Sequence, residues 1–232
     1  MLKKWMTAVI LMGLLSACGN NSSTEKKDDT AKTPATSATT TTPAPAEPAD
    51  NSKDSAAKST DDSQASADKK EIPADFKTYE NEQFNVSYPK SWSTYDSKQL
   101  NNPMVKVAFY DPKPTGNFAT NINVTMNADT TYSAKDIADS STKMLEEKGE
   151  ENGMANYKQI DYKDMDHSGF KAGISTSSYT STQTKADIIL SQLIIPAKKN
   201  TYVVSFSATK EDYEKSKDTV LKDIIDSFTI KE

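Results

Sequence analysis

Arginine is absent from the 232-residue chain, and cysteine and histidine occur once each. All 28 basic residues are therefore lysines, and no guanidinium fork is available to grip a phosphate or carboxylate at two points. The formal net charge is −5. Residues 1–18 hold two lysines and no acid, 19–71 seven lysines against ten acids, and 72–232 nineteen against twenty-three. No segment is basic enough to drive counterion release, so nucleic acid is not an expected partner. One cysteine allows no internal disulfide. With a single histidine and neither a CxxC pair nor a phosphate-binding glycine loop, zinc and nucleotide sites have no donor set. Hydrophobic residues make up 35% of the chain, below the ~45–50% of an average globular protein counted with glycine, so part of it has no core.

The one thiol stands in "LLSACGN". Lys3 and Lys4 give a positive start, Trp5–Leu15 is a short apolar run, and small residues follow, the pattern of an export signal over residues 1–17. The run is too short for a comfortable permanent span of a ~30 Å hydrocarbon layer. Leu15-Ser16-Ala17-Cys18 resembles the lipobox of bacterial lipoproteins. That resemblance implies diacylglycerol on the Cys18 sulfur, cleavage before it, and acylation (palmitate-type chains) of the new amino terminus. Two or three chains, each buried CH₂ worth ~0.8 kcal/mol, anchor durably where one is marginal.

Between Gly19 and Glu71 there is no Val, Ile, Leu, Met, Phe, Tyr or Trp. Such a segment cannot bury enough apolar area to offset ~1–2 kcal/mol of backbone entropy per residue, so residues 18–71 are expected to be a lipidated, disordered linker. Its root-mean-square span is about 40 Å and its stretched length beyond ~150 Å.

Apolar periodicity begins at Ile72 and defines a domain over 72–232. "EQFNVSYP" places Phe84, Val86 and Tyr88 on one strand face, with Pro89 as the stop. "VKVAFY" alternates Val105, Val107 and Phe109, and "TNINVTM" alternates Ile122, Val124 and Met126. The period then becomes helical: Ala134, Ile137, Ala138, Ser141, Met144 and Leu145 form a stripe, with Ser133 as N-cap, Asp136 three residues on, and Gly149 as the C′ stop. Strands are expected around 158–162, 170–179, 187–195 and 202–208, the last two joined by the hairpin loop "PAKKN". A closing helix is capped by Thr209 with Asp212, buries Tyr213, Val220, Leu221, Ile224, Ile225 and Phe228, and is followed by a short strand at "FTI". The class is α+β, with a mostly antiparallel sheet covered by helices.

The order "FNVSYPKSW", "TNINVTM", helix, "YVVSFSA", "IIDSF" resembles the PsbP-like domain, found also in DcrB-related bacterial lipoproteins. The resemblance implies an α-β-α sandwich around an antiparallel sheet. It implies little about activity, because the fold hosts a photosystem II extrinsic protein, a nuclear-import factor and many lipoproteins.

Few constellations could carry chemistry. Any Ser-His-Asp arrangement must use His167, which lies in "DMDHSGF", the composition of a tight turn. Asp164, Asp166, Ser168 and Gly169 match positions 1, 3, 5 and 6 of a calcium loop, but Ser175 replaces the bidentate Glu and Lys171 the apolar residue, favouring an acidic hairpin. Ser-x-x-Lys occurs at Ser55–Lys58, Ser87–Lys90 and Ser140–Lys143, a frequency expected by chance in such a chain, and the companion motifs are absent. Glu146, Glu147, Glu150 and Glu151 read as a solvated helix end, and Trp92 as a core aromatic at a corner.

The expectation is a non-enzymatic lipoprotein without cofactor, held by lipid at the extracytoplasmic face of the cell membrane and contacting an envelope protein. The alternative is a small-ligand or calcium-binding accessory to transport or envelope sensing. Gly19 is not the Asp of inner-membrane retention, and the long Thr/Pro tether suits a Gram-positive wall. Limited proteolysis of the mature protein should leave a resistant fragment starting near residue 72; uniform loss of the whole chain would refute the tether-and-domain division.

Overall fold

The computed structural model describes residues 71–95, 100, 102–114 and 116–231. The signal segment, Leu15, Ser16, Ala17, Cys18, the linker to residue 70 and the Ser55–Lys58 pair lie outside the described residues.

Five strands precede the first helix: β1 (Phe76–Glu80), β2 (Phe84–Pro89), β3 (Ser93–Thr94), β4 (Val105–Tyr110) and β5 (Asn121–Asn127). Helix α1 (Ala134–Lys148) and a 3₁₀ turn (Glu150–Asn152) lead into β6 (Met154–His167), β7 (Phe170–Ser181), β8 (Asp187–Pro196) and β9 (Thr201–Thr209). The chain closes with α2 (Lys210–Ser216), a π turn (Lys217–Leu221), α3 (Lys222–Ser227) and β10 (Thr229–Ile230).

The main sheet has seven strands in the order β3-β4-β5-β9-β8-β7-β6, every neighbouring pair antiparallel. The expected sheet is present, but β1, β2 and β10 form a separate three-stranded sheet of their own. Strand β1 has one fully buried residue, Phe76, so hydrophobic alternation gave it no signal.

One face of the main sheet carries the large core. Val107 and Phe109, Ile122 and Val124, Leu193 and Ile195, and Tyr202, Val204 and Phe206 pack there against Phe84, Val86 and Tyr88 of β2 and Leu221, Ile224 and Phe228 of the closing helix. The α-β-α sandwich is therefore realised with a mixed second layer, small sheet beside helix. On the opposite face α1 rests on β6, β7 and β8 through Ala134, Ala138, Ser141 and Leu145, spaced four, three and four apart as a helical stripe requires.

Ser133 and Asp136 form a reciprocal capping box: Ser133 Oγ accepts from the Asp136 amide at 3.1 Å, and the Ser133 amide donates to the Asp136 carboxylate at 3.2 Å. Gly149 does not end α1 in the left-handed conformation. It is right-handed (φ −61°), the chain runs on through the 3₁₀ turn, and the left-handed stop is Gly153 at φ +81°. Gly149 is needed for a different reason. A Cβ there would lie 2.4 Å from the carbonyl oxygens of both Leu145 and Met154, where the chain folds back toward β6.

The closing helix is broken where a continuous one was expected. The Ser216 hydroxyl donates to the Asp212 carbonyl at 2.6 Å, a side-chain bond that competes with the helical ladder, and the backbone widens into the π turn. Strand β6 is the long edge of the main sheet, the two-residue β3 being the other. It carries two bulges, a left-handed Asn156, and alternating Lys158, Asp161, Lys163, Asp164 and Asp166, with Ile160 56% exposed at the second bulge.

Gly149→Ala should lower the unfolding free energy by about 1–3 kcal/mol, because two backbone oxygens must move. Gly116→Ala, where a Cβ meets nothing within 4 Å, should stay within about 0.5 kcal/mol. Urea denaturation midpoints of the two variants check the contrast.

Candidate functional site

At one end of the main sheet, a cleft of about 200 Å³ opens between the β4–β5 loop and the closing helix. Trp92 lies in its lining. The Trp92 amide closes a turn on the Pro89 carbonyl (3.0 Å), and the indole stacks on Phe206 at 6.5 Å and 22°. This is the core aromatic expected from the sequence, 7% exposed, although the chain beyond it enters β3 and not a helix. Buried indoles usually find an acceptor for their N–H. Among the described residues, that of Trp92 has none.

The loop wall is built by Asp111, Lys113, Pro114 and Thr120. The Asp111 amide donates to the Thr120 carbonyl (2.8 Å), holding the loop's two ends together, and its carboxylate accepts from the Lys113 amide at 2.9 Å. That Asx turn and the prolines on either side of Lys113 stiffen the wall and leave the Lys113 ammonium without an ion pair among the described residues. The helix wall contributes Asp212, Lys215, Ser216 and Val220. Asp212 is placed by the N-cap: its amide donates to Thr209 Oγ1 (3.2 Å), and that hydroxyl donates to its carboxylate (2.9 Å). Lys215 pairs with Glu211 at 2.6 Å, and the bond pushes its ammonium above the ordinary lysine range. Because the π turn begins immediately after Ser216, the wall lies where the helix changes register, a common position for functional sites.

The α1-covered face of the main sheet has a different character. Asn123, Ser205, Gln192 and Ser175 stand opposite one another across β5, β9, β8 and β7, forming a neutral polar band. Gln192 Nε2 donates to Ser205 Oγ (3.0 Å), Gln159 Nε2 to Ser175 Oγ (3.1 Å), and the Tyr157 hydroxyl to Ser177 Oγ (2.8 Å). On β5 the side-chain oxygens of Asn121, Asn123 and Thr125 are buried without a protein partner. Burial pushes the Tyr157 and Tyr179 phenols up, with the nearby Ser177 and Ser207 hydroxyls opposing the shift. Tyr162 is pushed up by burial and then by its bond to Asp164. Alternation along "TNINVTM" accounts for Ile122 and Val124 but assigns the intervening polar residues to solvent, so this band was not legible.

The expected turn at His167 is present: Ser168 (φ +51°) and Gly169 (φ +82°) make a two-residue hairpin between β6 and β7, the type I′ geometry. His167 itself is buried, and its Nε2 bonds the Phe228 carbonyl at 2.8 Å, tying the hairpin to the end of α3. That bond goes to the main chain, and among the described residues no serine or aspartate is bonded to the ring. Asp164 and Asp166 lie on the extended strand. Asp164 accepts from the Tyr162 hydroxyl (3.0 Å) and Asp166 pairs with Lys171 (2.7 Å), while Ser175 is buried on β7. The calcium-loop match is thus a hairpin, and among the described residues no three His, Cys, Asp or Glu side chains converge.

Ser87 and Lys90 of the first described Ser-x-x-Lys pair are bonded to other partners. Ser87 Oγ bonds Thr78 Oγ1 and Lys90 Nζ reaches the Ala74 carbonyl, while Ser140 and Lys143 lie along α1. The four glutamates at the end of α1 are exposed, as expected.

A family model described as "Probable lipoprotein LpqN" matches residues 64–231. Among solved structures, the cyanobacterial PsbP (CyanoP) of Synechocystis sp. PCC 6803 is 17% identical, with 72% of this chain and 98% of that one covered at a TM-score of 0.51, so the fold is PsbP-like. The Ran-binding protein Mog1p of Saccharomyces cerevisiae is 12% identical over 68% of this chain and 96% of that one (TM-score 0.46). LpqN of Mycobacterium tuberculosis, described as involved in cell envelope biogenesis, is 15% identical over 63% and 82% (TM-score 0.41). No curated protein matches the chain.

Tyr157, Tyr162 and Tyr179 should ionise above the ordinary value of ~10. The fold holds their phenol protons more tightly than the unfolded chain does. Their stabilising contribution is complete below pH ~10 and is lost as pH rises through the higher folded values. Titration of tyrosinate absorbance alongside circular dichroism should show these three ionising late, coincident with unfolding.

Proposed function

Since the chain belongs to the LpqN lipoprotein family, we propose that it works as a non-enzymatic binding module leashed to the outer face of a cell membrane. In this reading Cys18 carries the acyl chains, the segment to residue 71 is the spacer, and the domain over 72–232 does the recognising. A single-membrane, thick-walled cell suits the spacer's length, and an envelope protein or a small envelope solute is the object bound.

The observation that carries the binding role is the Trp92 cleft. It is concave, has a loop wall held by the Asp111 turn and a capped helix wall, and is lined by an indole N–H and an ammonium that have no partner among the described residues. Hydrolysis or acyl transfer would need a nucleophile within reach of a base. The histidine and the Ser87–Lys90 pair are instead tied to structural partners, which supports a role in recognition over turnover. The residues that resemble a calcium loop are strand and turn, an arrangement that does not favour calcium as the object bound.

Cys18→Ser should move the protein from the membrane to the soluble fraction. Intact-mass measurement of the parent protein should show a mature chain beginning at residue 18 with two or three acyl chains. An unacylated mature chain, or a serine variant that stays in the membrane, would end the anchored reading.

A further inference from the structure

The polarity of the cleft restricts what can occupy it. Its lining carries both signs on each wall, Asp111 with Lys113 on the loop and Asp212 with Lys215, itself paired with Glu211, on the helix. A ligand of strong net charge would meet as much repulsion as attraction, whereas one carrying both signs can satisfy both sets. At about 200 Å³ the cleft is also smaller than the ~300–1,000 Å³ of pockets for drug-sized molecules.

The placement of unused groups adds a direction. The Trp92 indole N–H, on a side chain more than nine-tenths buried, has no acceptor, and Lys113 has no counter-ion among the described residues. Both ask for an oxygen with negative charge. Asp111 uses one carboxylate oxygen on its own loop amide and retains acceptor capacity toward an ammonium. Pro114, Val220 and the indole itself leave apolar surface for a short side chain.

We propose that the Trp92 cleft binds a free, zwitterionic amino acid with a small apolar side chain, the carboxylate toward Trp92 and Lys113 and the ammonium toward the aspartates. This rests on the reading of the cleft as the recognition site and specifies its ligand.

The test is isothermal titration of the full-length acylated protein in detergent with three matched probes. These are L-valine, isovalerate (valine without its ammonium) and isobutylamine (valine without its carboxylate). Valine should bind, and each single-charge probe should bind at least roughly tenfold more weakly, the loss of one charge-assisted contact. Lys113→Glu, at an exposed position, should weaken valine by roughly tenfold or more, and Trp92→Phe, which keeps the ring and removes the N–H, by several-fold. Lys158→Glu on the remote β6 edge should change nothing.

Equal binding of isovalerate and valine would overturn the zwitterion and leave the cleft a simple anion site. Silence from all three probes at millimolar concentration would overturn the inference altogether. The reading of the cleft as a recognition surface would then be judged separately, by whether Lys113→Glu removes proteins crosslinked to the parent in intact envelopes.

Discussion

The structure depends on one apolar contact, the aromatic-rich face of the main sheet closed by β2 and the C-terminal helix. Tyr88 stacks on Phe109 at 3.7 Å, Phe84 meets Phe228 at 5.5 Å and Tyr202 at 6.2 Å, and Phe228 meets Tyr202 at 6.0 Å. Each such ring buries of the order of 150–250 Å², so this interface dominates the domain's hydrophobic stabilisation. It also fixes geometry. Once Phe228 and Ile224 are seated, helix α2 can lie only across the end of β9. Trp92, stacked on Phe206, then meets α2 and the β4–β5 loop, and the cleft lies between them.

Polar contacts serve this arrangement by terminating it correctly. The Ser87 amide donates to Ser227 Oγ at 2.9 Å, and His167 bonds the Phe228 carbonyl, so the end of α3 is bonded to both sheets. The chain's single histidine is used as a clasp, which accounts for its burial. The band on the α1 face is of the opposite kind, with oxygens of three β5 side chains lacking protein partners. Unpaired buried acceptors cost about 1–3 kcal/mol each, and ordered water is the usual remedy.

Much of this was readable in the sequence because the signals were local. Ser133 with Asp136 and Thr209 with Asp212 are caps whose partners lie three residues away, and both are in place. Phe84, Val86, Ile122, Val124 and Phe206 announced one buried face by period two, and "PAKKN" a hairpin. What failed was non-local. Gly149 does close α1 as read, but in the right-handed conformation, and a glycine is required there by a close approach of the Met154 carbonyl that only the returning chain creates. Strand β1 is held by its ladder to β2 and is nearly silent in hydrophobicity. The cleft joins Trp92, Lys113 and Lys215, residues far apart in the chain, whose conjunction no spacing rule encodes.

The guarded margin of the sheet would matter most if the protein is anchored as proposed and so confined to two dimensions. Neighbours sharing a bilayer collide far more often than the same number dispersed in solution, and an open ladder on each would invite them to zip together. On β6 the two bulges interrupt any straight run of outward amides, and the lysines and aspartates that punctuate it keep a second copy hydrated and at a distance. For an anchored protein, crowding on the membrane would thereby be compatible with each copy remaining separate and its cleft open.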